Sequence, residues 1–65
     1  MTLHELWENV EINQTLMYDE LNDDDTVSFK EYDGGDRWRI GADEVCGISA
    51  DYIPEYGYVI VAHML

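Results

Sequence analysis

The sequence predicts an α+β fold, with one N-terminal helix packed on a small, mostly antiparallel three-stranded sheet in the order α-β-β-β. Three observations lead there. Apolar residues recur at helical spacing in the first third of the chain. β-Branched and aromatic residues dominate the remainder. Like elements follow one another instead of alternating, which separates α+β from α/β. A chain of 65 residues allows one domain, residues 1–65.

The helix comes first. Thr2 and Glu5 fit a capping box, in which the hydroxyl accepts from an early backbone N–H and the glutamate reaches back to the cap. Leu3, Trp7, Val10, Gln14, Met17 and Leu21 step by four and three, with Leu6 on the same stripe. This spacing predicts a helix over residues 3–21. Its opposite face carries Glu5, Glu8 and Asp19, with Glu11 at the margin, and Ile12 and Leu16 fall on that acidic side. Asn22 to Thr26 is a polar, turn-forming run that ends it.

β structure follows. Val27 to Tyr32 is rich in strand formers, with Val27 and Phe29 on one face. Asp33-Gly34-Gly35-Asp36 reads as a tight hairpin turn, because glycine supplies positive φ. Arg37-Trp38-Arg39-Ile40 alternates as a returning strand would, with Trp38 and Ile40 facing the core. Residues 41–55 are less legible. Glu44 to Ile48 is a candidate short strand, and Pro54 forbids a central strand position. Tyr56 to Leu65 is apolar on both faces and predicts a strand that is covered on both sides or central in the sheet.

Charge dominates the composition. Fifteen acids face three bases, for a formal net charge of -12. Disordered acidic tails lack aromatics, whereas this chain has eight, so the sequence predicts a folded domain. So short a chain buries only about 60% of its unfolded surface, and Cys46, alone, offers no internal disulfide and reads as a small buried apolar residue. No basic leader precedes an apolar segment, and no apolar run approaches the ~20 residues of a membrane span. The expectation is a cytoplasmic protein of a bacterial host cell. Three bases set among acids exclude direct binding to nucleic acid and to anionic membranes, since both need cations. A basic protein surface remains as the partner.

Site chemistry is sparse. Asp23 and Asp25 begin like a calcium loop, but Val27 stands at the third ligand position and no glycine follows. His4, Cys46 and His63 lack the close pairing of a zinc site. No serine or cysteine nucleophile motif and no phosphate-cradling glycine loop is present. The sequence therefore predicts no enzyme, no metal and no cofactor. The charge itself remains. Two carboxylates ~5 Å apart repel by roughly 0.8 kcal/mol in water and by about 3 kcal/mol at an effective dielectric of ~20. That burden exceeds what solubility asks for, a charge of about 2–8 in magnitude on a small domain. Duplex DNA carries one charge per ~1.7 Å of axis. Glutamates at 5, 8 and 11 of a helix recur every ~4.5 Å, with Glu20, Asp23, Asp24 and Asp25 extending the row.

In its small size, its near absence of lysine, its acidic helix (Glu5, Glu8, Glu11, Asp19, Glu20) and its acidic loop (Asp23, Asp24, Asp25), the chain resembles phage-encoded DNA-mimic inhibitors. It is most similar in type to anti-CRISPR proteins directed at type I systems, including small α/β inhibitors of the type I-C Cascade complex. The resemblance spans the whole chain, in size and charge and not in a motif. It implies occlusion of the basic surface where Cascade reads the PAM or holds target duplex, on its large or backbone subunits. The expected contact residues are Glu5, Glu8, Glu11, Asp19, Glu20, Asp23, Asp24, Asp25, Asp33 and Asp36. Two other readings use the same charge: an antitoxin or immunity protein that neutralises a basic toxin, and an ordinary halophilic domain.

Overall fold

The capping box forms as the sequence predicts. Glu5 N–H donates to Thr2 Oγ1 at 3.2 Å, and Thr2 N–H donates to Glu5 Oε1 at 2.8 Å. It starts a helix, α1, that spans only Leu3–Asn9. A computed structural model of the chain describes residues 1–10 and 14–64. After α1 come four strands: β1 (Leu16–Leu21), β2 (Val27–Glu31), β3 (Gly47–Ile53) and β4 (Gly57–His63). A single 3-10 turn at Ile40–Ala42 lies between β2 and β3. The sheet is mixed, in the order β2-β1-β4-β3. β1 and β2 form one antiparallel pair and β3 and β4 another, and a parallel β1–β4 seam joins them.

The architecture is α+β with four strands in place of three. The helix expected over residues 3–21 stops at Asn9, and its second half is β1. Leu16, Met17 and Tyr18 are consecutive apolar residues, a run whose periodicity fits a buried strand as well as a helix. Pairing on both edges decides it: Met17 lies between Glu31 of β2 and Val61 of β4. Leu16, expected on an acidic helical face, is buried in the core. Ile12 lies outside the described residues.

The second correction concerns residues 33–40, where no returning strand forms. Gly34 has φ +87, and a Cβ there would stand 2.7 Å from the Trp7 ring, so the chain crosses the helix at this point. The Asp36 carbonyl then accepts from Arg39 N–H and Gly41 N–H at 3.3 and 3.0 Å, which coils the backbone into the 3-10 turn. Trp38, expected in the core, is 83% exposed, and Val27 and Phe29 are exposed too. Cys46 is likewise exposed. The segment expected at 44–48 is a strand displaced to Gly47–Ile53, with Pro54 in the turn beyond it. The predicted C-terminal strand holds, and β4 is a central strand as its two apolar faces require.

Period-two alternation sorts the sheet into two faces. Leu3 and Leu6 of α1 pack on Leu16 and Ala62 of one face, with Tyr32 completing that core. Met17, Val59 and Val61 point to the other face, where Ile53 packs against them. Met17, Val59 and Val61 are at most 1% exposed, so the centre of this second face is closed to solvent as well. The described helix is far too short to cross a membrane.

Candidate partner-binding surface

The acids do not form one row. Glu5 and Glu8 remain on α1, both exposed, while Glu11 lies outside the described residues. Glu5 serves the helix cap, and its hydrogen bonds with the Thr2 backbone and side chain hold its carboxyl below the ordinary value. Glu8 lies 3.6 Å from His4 Nε2. Glu20 is on β1, 2.9 Å from Lys30 Nζ across the β1–β2 pair, and this partner raises the lysine's pKa.

Asp23, Asp24 and Asp25 form the loop of the β1–β2 hairpin. Asp25 N–H donates to Asn22 O at 3.1 Å, and Asp25 itself takes φ 67. This is a three-residue hairpin loop, a type I turn followed by a left-handed residue. Asp24 Oδ1 accepts from the Thr26 hydroxyl at 2.6 Å and from Thr26 N–H at 3.2 Å, and these two bonds depress its pKa. Asp33 Oδ1 accepts from Gly35 N–H at 2.9 Å, closing an Asx-turn. Asp19 is not on the surface: it is 8% exposed, on the sheet face opposite α1.

What the structure does bring together surrounds Trp38. A cleft of ≈ 720 Å³ on one side of it holds Glu20, Asp36 and Asp43 together with Lys30 and Arg39. A smaller one on the other side holds Glu5 and Glu8 with Arg37. The Arg37 guanidinium lies over the Trp38 ring at 4.9 Å from its centroid. All three basic side chains of the protein thus line the two clefts that meet at one exposed tryptophan. The acids at the hairpin loop, by contrast, have no cation among the described ion pairs. Trp38 was missed as a surface residue because the alternation of residues 37–40 imitates a strand. The arginines flanking it were the available signal, since an apolar ring between two cations suits a contact site at least as well as a core.

A second polar group lies on the sheet face opposite α1. His63 Nδ1 is 2.9 Å from Asp19 Oδ2, and His63 Nε2 is 2.8 Å from Ser49 Oγ. Met64 N–H donates to the other Asp19 oxygen at 2.6 Å. These residues come from three different strands or their ends, so no local motif announces them. Among the described residues no group of three or more metal-ligating side chains is assembled. Comparison with protein-family models, with curated proteins and with solved structures returned no match.

Proposed function

We propose that the protein is an inhibitor that imitates the charge of DNA and occupies the DNA-binding surface of a defence complex, a CRISPR Cascade or one like it. Occupation is its mode of action, and the partner is held without being altered. The observation that carries this reading is the distribution of charge. The net charge is -12, and the three cations are gathered around Trp38, which leaves the hairpin-loop acids Asp23, Asp24 and Asp25 exposed with no cation among the described ion pairs. Such a field steers a basic groove toward the protein and discriminates among partners. Trp38 with Arg37 supplies the anchor, because tryptophan and arginine carry much of the energy in protein interfaces.

The test is competition. Binding to purified type I Cascade should weaken steeply between 50 and 200 mM salt, on the order of 10³-fold for a surface that engages six or more charges. It should vanish when PAM-bearing duplex saturates the complex. Retention of the protein by duplex-saturated Cascade rejects the mimicry.

One observation favours a second reading. The acids lie in separate groups on α1, the hairpin loop and the clefts, instead of at phosphate-like intervals along one helix. An antitoxin or immunity protein that neutralises a basic toxin needs charge and an aromatic anchor but no regular spacing. Capture of a basic protein that has no nucleic-acid-binding activity would decide for it.

A further inference from the structure

We propose that Ser49 is an activated nucleophile, with His63 as its general base, and that it accepts acyl groups from activated carboxylic esters. The inference does not rest on partner capture, which concerns α1, the hairpin loop and the Trp38 clefts.

The geometry carries it. A carboxylate can only accept, so the 2.9 Å contact between Asp19 Oδ2 and His63 Nδ1 places a proton on Nδ1. In the neutral imidazole, Nε2 is then the acceptor, and the Ser49 hydroxyl 2.8 Å away donates to it. This is the arrangement nucleophilic catalysis by serine requires: nucleophile bonded to base, and base oriented by a third group. Asp19 is itself pinned, since its other oxygen accepts from Met64 N–H at 2.6 Å. It is a positioning residue and touches no substrate.

Accessibility separates the group from a sealed core network. Asp19 is 9% exposed at its side chain, but His63 is 40% exposed. Gly47 stands opposite His63 in the β3–β4 register, and a Cβ there would be in van der Waals contact with His63 Cδ2 at 3.8 Å. β3 is an edge strand, and no strand among the described residues pairs with its outer side. Alternate N–H groups of an edge strand point away from the sheet. Either the N–H of Ser49 or those of Ile48 and Ala50 thus face outward. Backbone donors within one residue of the nucleophile are what a developing oxyanion needs.

The step balances without any added reagent. Ser49 Oγ forms a bond to the ester carbonyl carbon as its proton passes to His63 Nε2. The carbon–alkoxide bond breaks, and the leaving oxygen takes that proton. Water, with His63 again as base, then releases the acid and restores the serine.

The experiment uses the full-length protein, a fluorophosphonate probe and p-nitrophenyl acetate. Peptide mapping should find a single phosphonyl or acetyl adduct, on Ser49. The labelling rate should fall at least ~100-fold in Ser49→Ala and in His63→Gln, the scale of general-base assistance. Circular dichroism should remain native in both. Asp19→Asn keeps an oxygen for Met64 but offers His63 a donor. It should lower the labelling rate and change the ¹⁵N shifts of the His63 ring to those of the other tautomer. An unmodified chain overturns the proposal, and so does an adduct spread over the exposed tyrosines. Both outcomes are read on the native sequence, so they stand even where a variant fails to fold.

Discussion

The two faces of the sheet are built from the same four strands and have opposite chemistry. Toward α1, Leu16 and Ala62 meet Leu3, Leu6 and Tyr32 in an apolar core. On the other side, Met17, Val59 and Val61 share their face with Asp19, His63 and Ser49. Alternation along each strand makes the division possible, because neighbouring residues of one strand serve different layers. The difference teaches where a small domain finds room for polar chemistry. Both faces bury apolar side chains completely, and the second holds a hydrogen-bonded polar group at the margin of its cluster.

The sharpest way to break this comparison is at two adjacent residues, Leu16 and Met17, each 1% exposed and pointing to opposite faces. Truncating either to alanine falls within the ~2–5 kcal/mol range of buried large-to-small changes. Leu16→Ala should lie near the upper end, because helix and sheet cannot both collapse into the gap. Met17→Ala should cost about 2 kcal/mol. Urea titration of the two variants checks the order, and equal costs would mean that the two faces close around a lost side chain equally well.

Next in size is Asp19. Asp19→Ala leaves Met64 N–H and His63 Nδ1 without their acceptor, at a cost of roughly 1.5–3 kcal/mol for charge-assisted bonds. A cost under ~0.5 kcal/mol by the same titration would show that the polar row contributes nothing to the seam.

The covered face makes its own prediction at high pH. Tyr32 is buried, and burial raises its phenol pKa above the ordinary value, with the Asp36 charge adding to the shift. The folded state therefore keeps a proton that the unfolded chain releases. Stability is full below the ordinary phenol range of about 10 and is lost as pH rises through the higher folded value. Tyr32→Phe should flatten that alkaline limb, at the expense of the 2.7 Å contact between Tyr32 Oη and His4 Nδ1. Melting curves from pH 8 to 12 provide the check.

Two smaller effects lie outside both faces. Asp25 holds a left-handed conformation that glycine adopts without strain. Asp25→Gly should stabilise the hairpin by up to ~1 kcal/mol, visible as a rise in Tm. Trp38→Ala should change stability by less than ~0.5 kcal/mol while removing capture of the basic partner. Loss of the fold in that variant would return Trp38 to the core that its sequence pattern suggests.

These elements also mark how far the sequence could be read. The start of α1 was legible, because the cap and the Leu3-Leu6-Trp7-Val10 stripe are local. So was β4, whose two apolar faces announce a central strand, and so was a turn at Asn22 to Thr26, although it joins two strands and does not end a helix. β1 was not. Met17 and Leu21 continue the helical spacing, and only partners on both edges, distant in sequence, make the segment extended. The chain after Gly34 was misread because a glycine turn before an alternating segment fits a hairpin, whereas contact with Trp7 redirects it. The acids were legible as composition, but the burial of Asp19 was not, since His63 lies 44 positions away. No spacing rule reaches that far.

The same separation sets the order in which the molecule can assemble. The β1–β2 and β3–β4 pairs are local hairpins, of the kind that close in about 1–10 μs. The parallel β1–β4 seam joins residues 44 apart, and its register involves only Leu16, Met17 and Tyr18 with Ile60, Val61 and Ala62. Long-range contacts of this kind form after local ones, because chain closure must come before they contribute. The Asp19–His63 contact spans that seam, so it should be absent from the folding transition state. Its removal should then speed unfolding and leave the folding rate almost unchanged, which makes the polar row a clasp on the lifetime of the folded state.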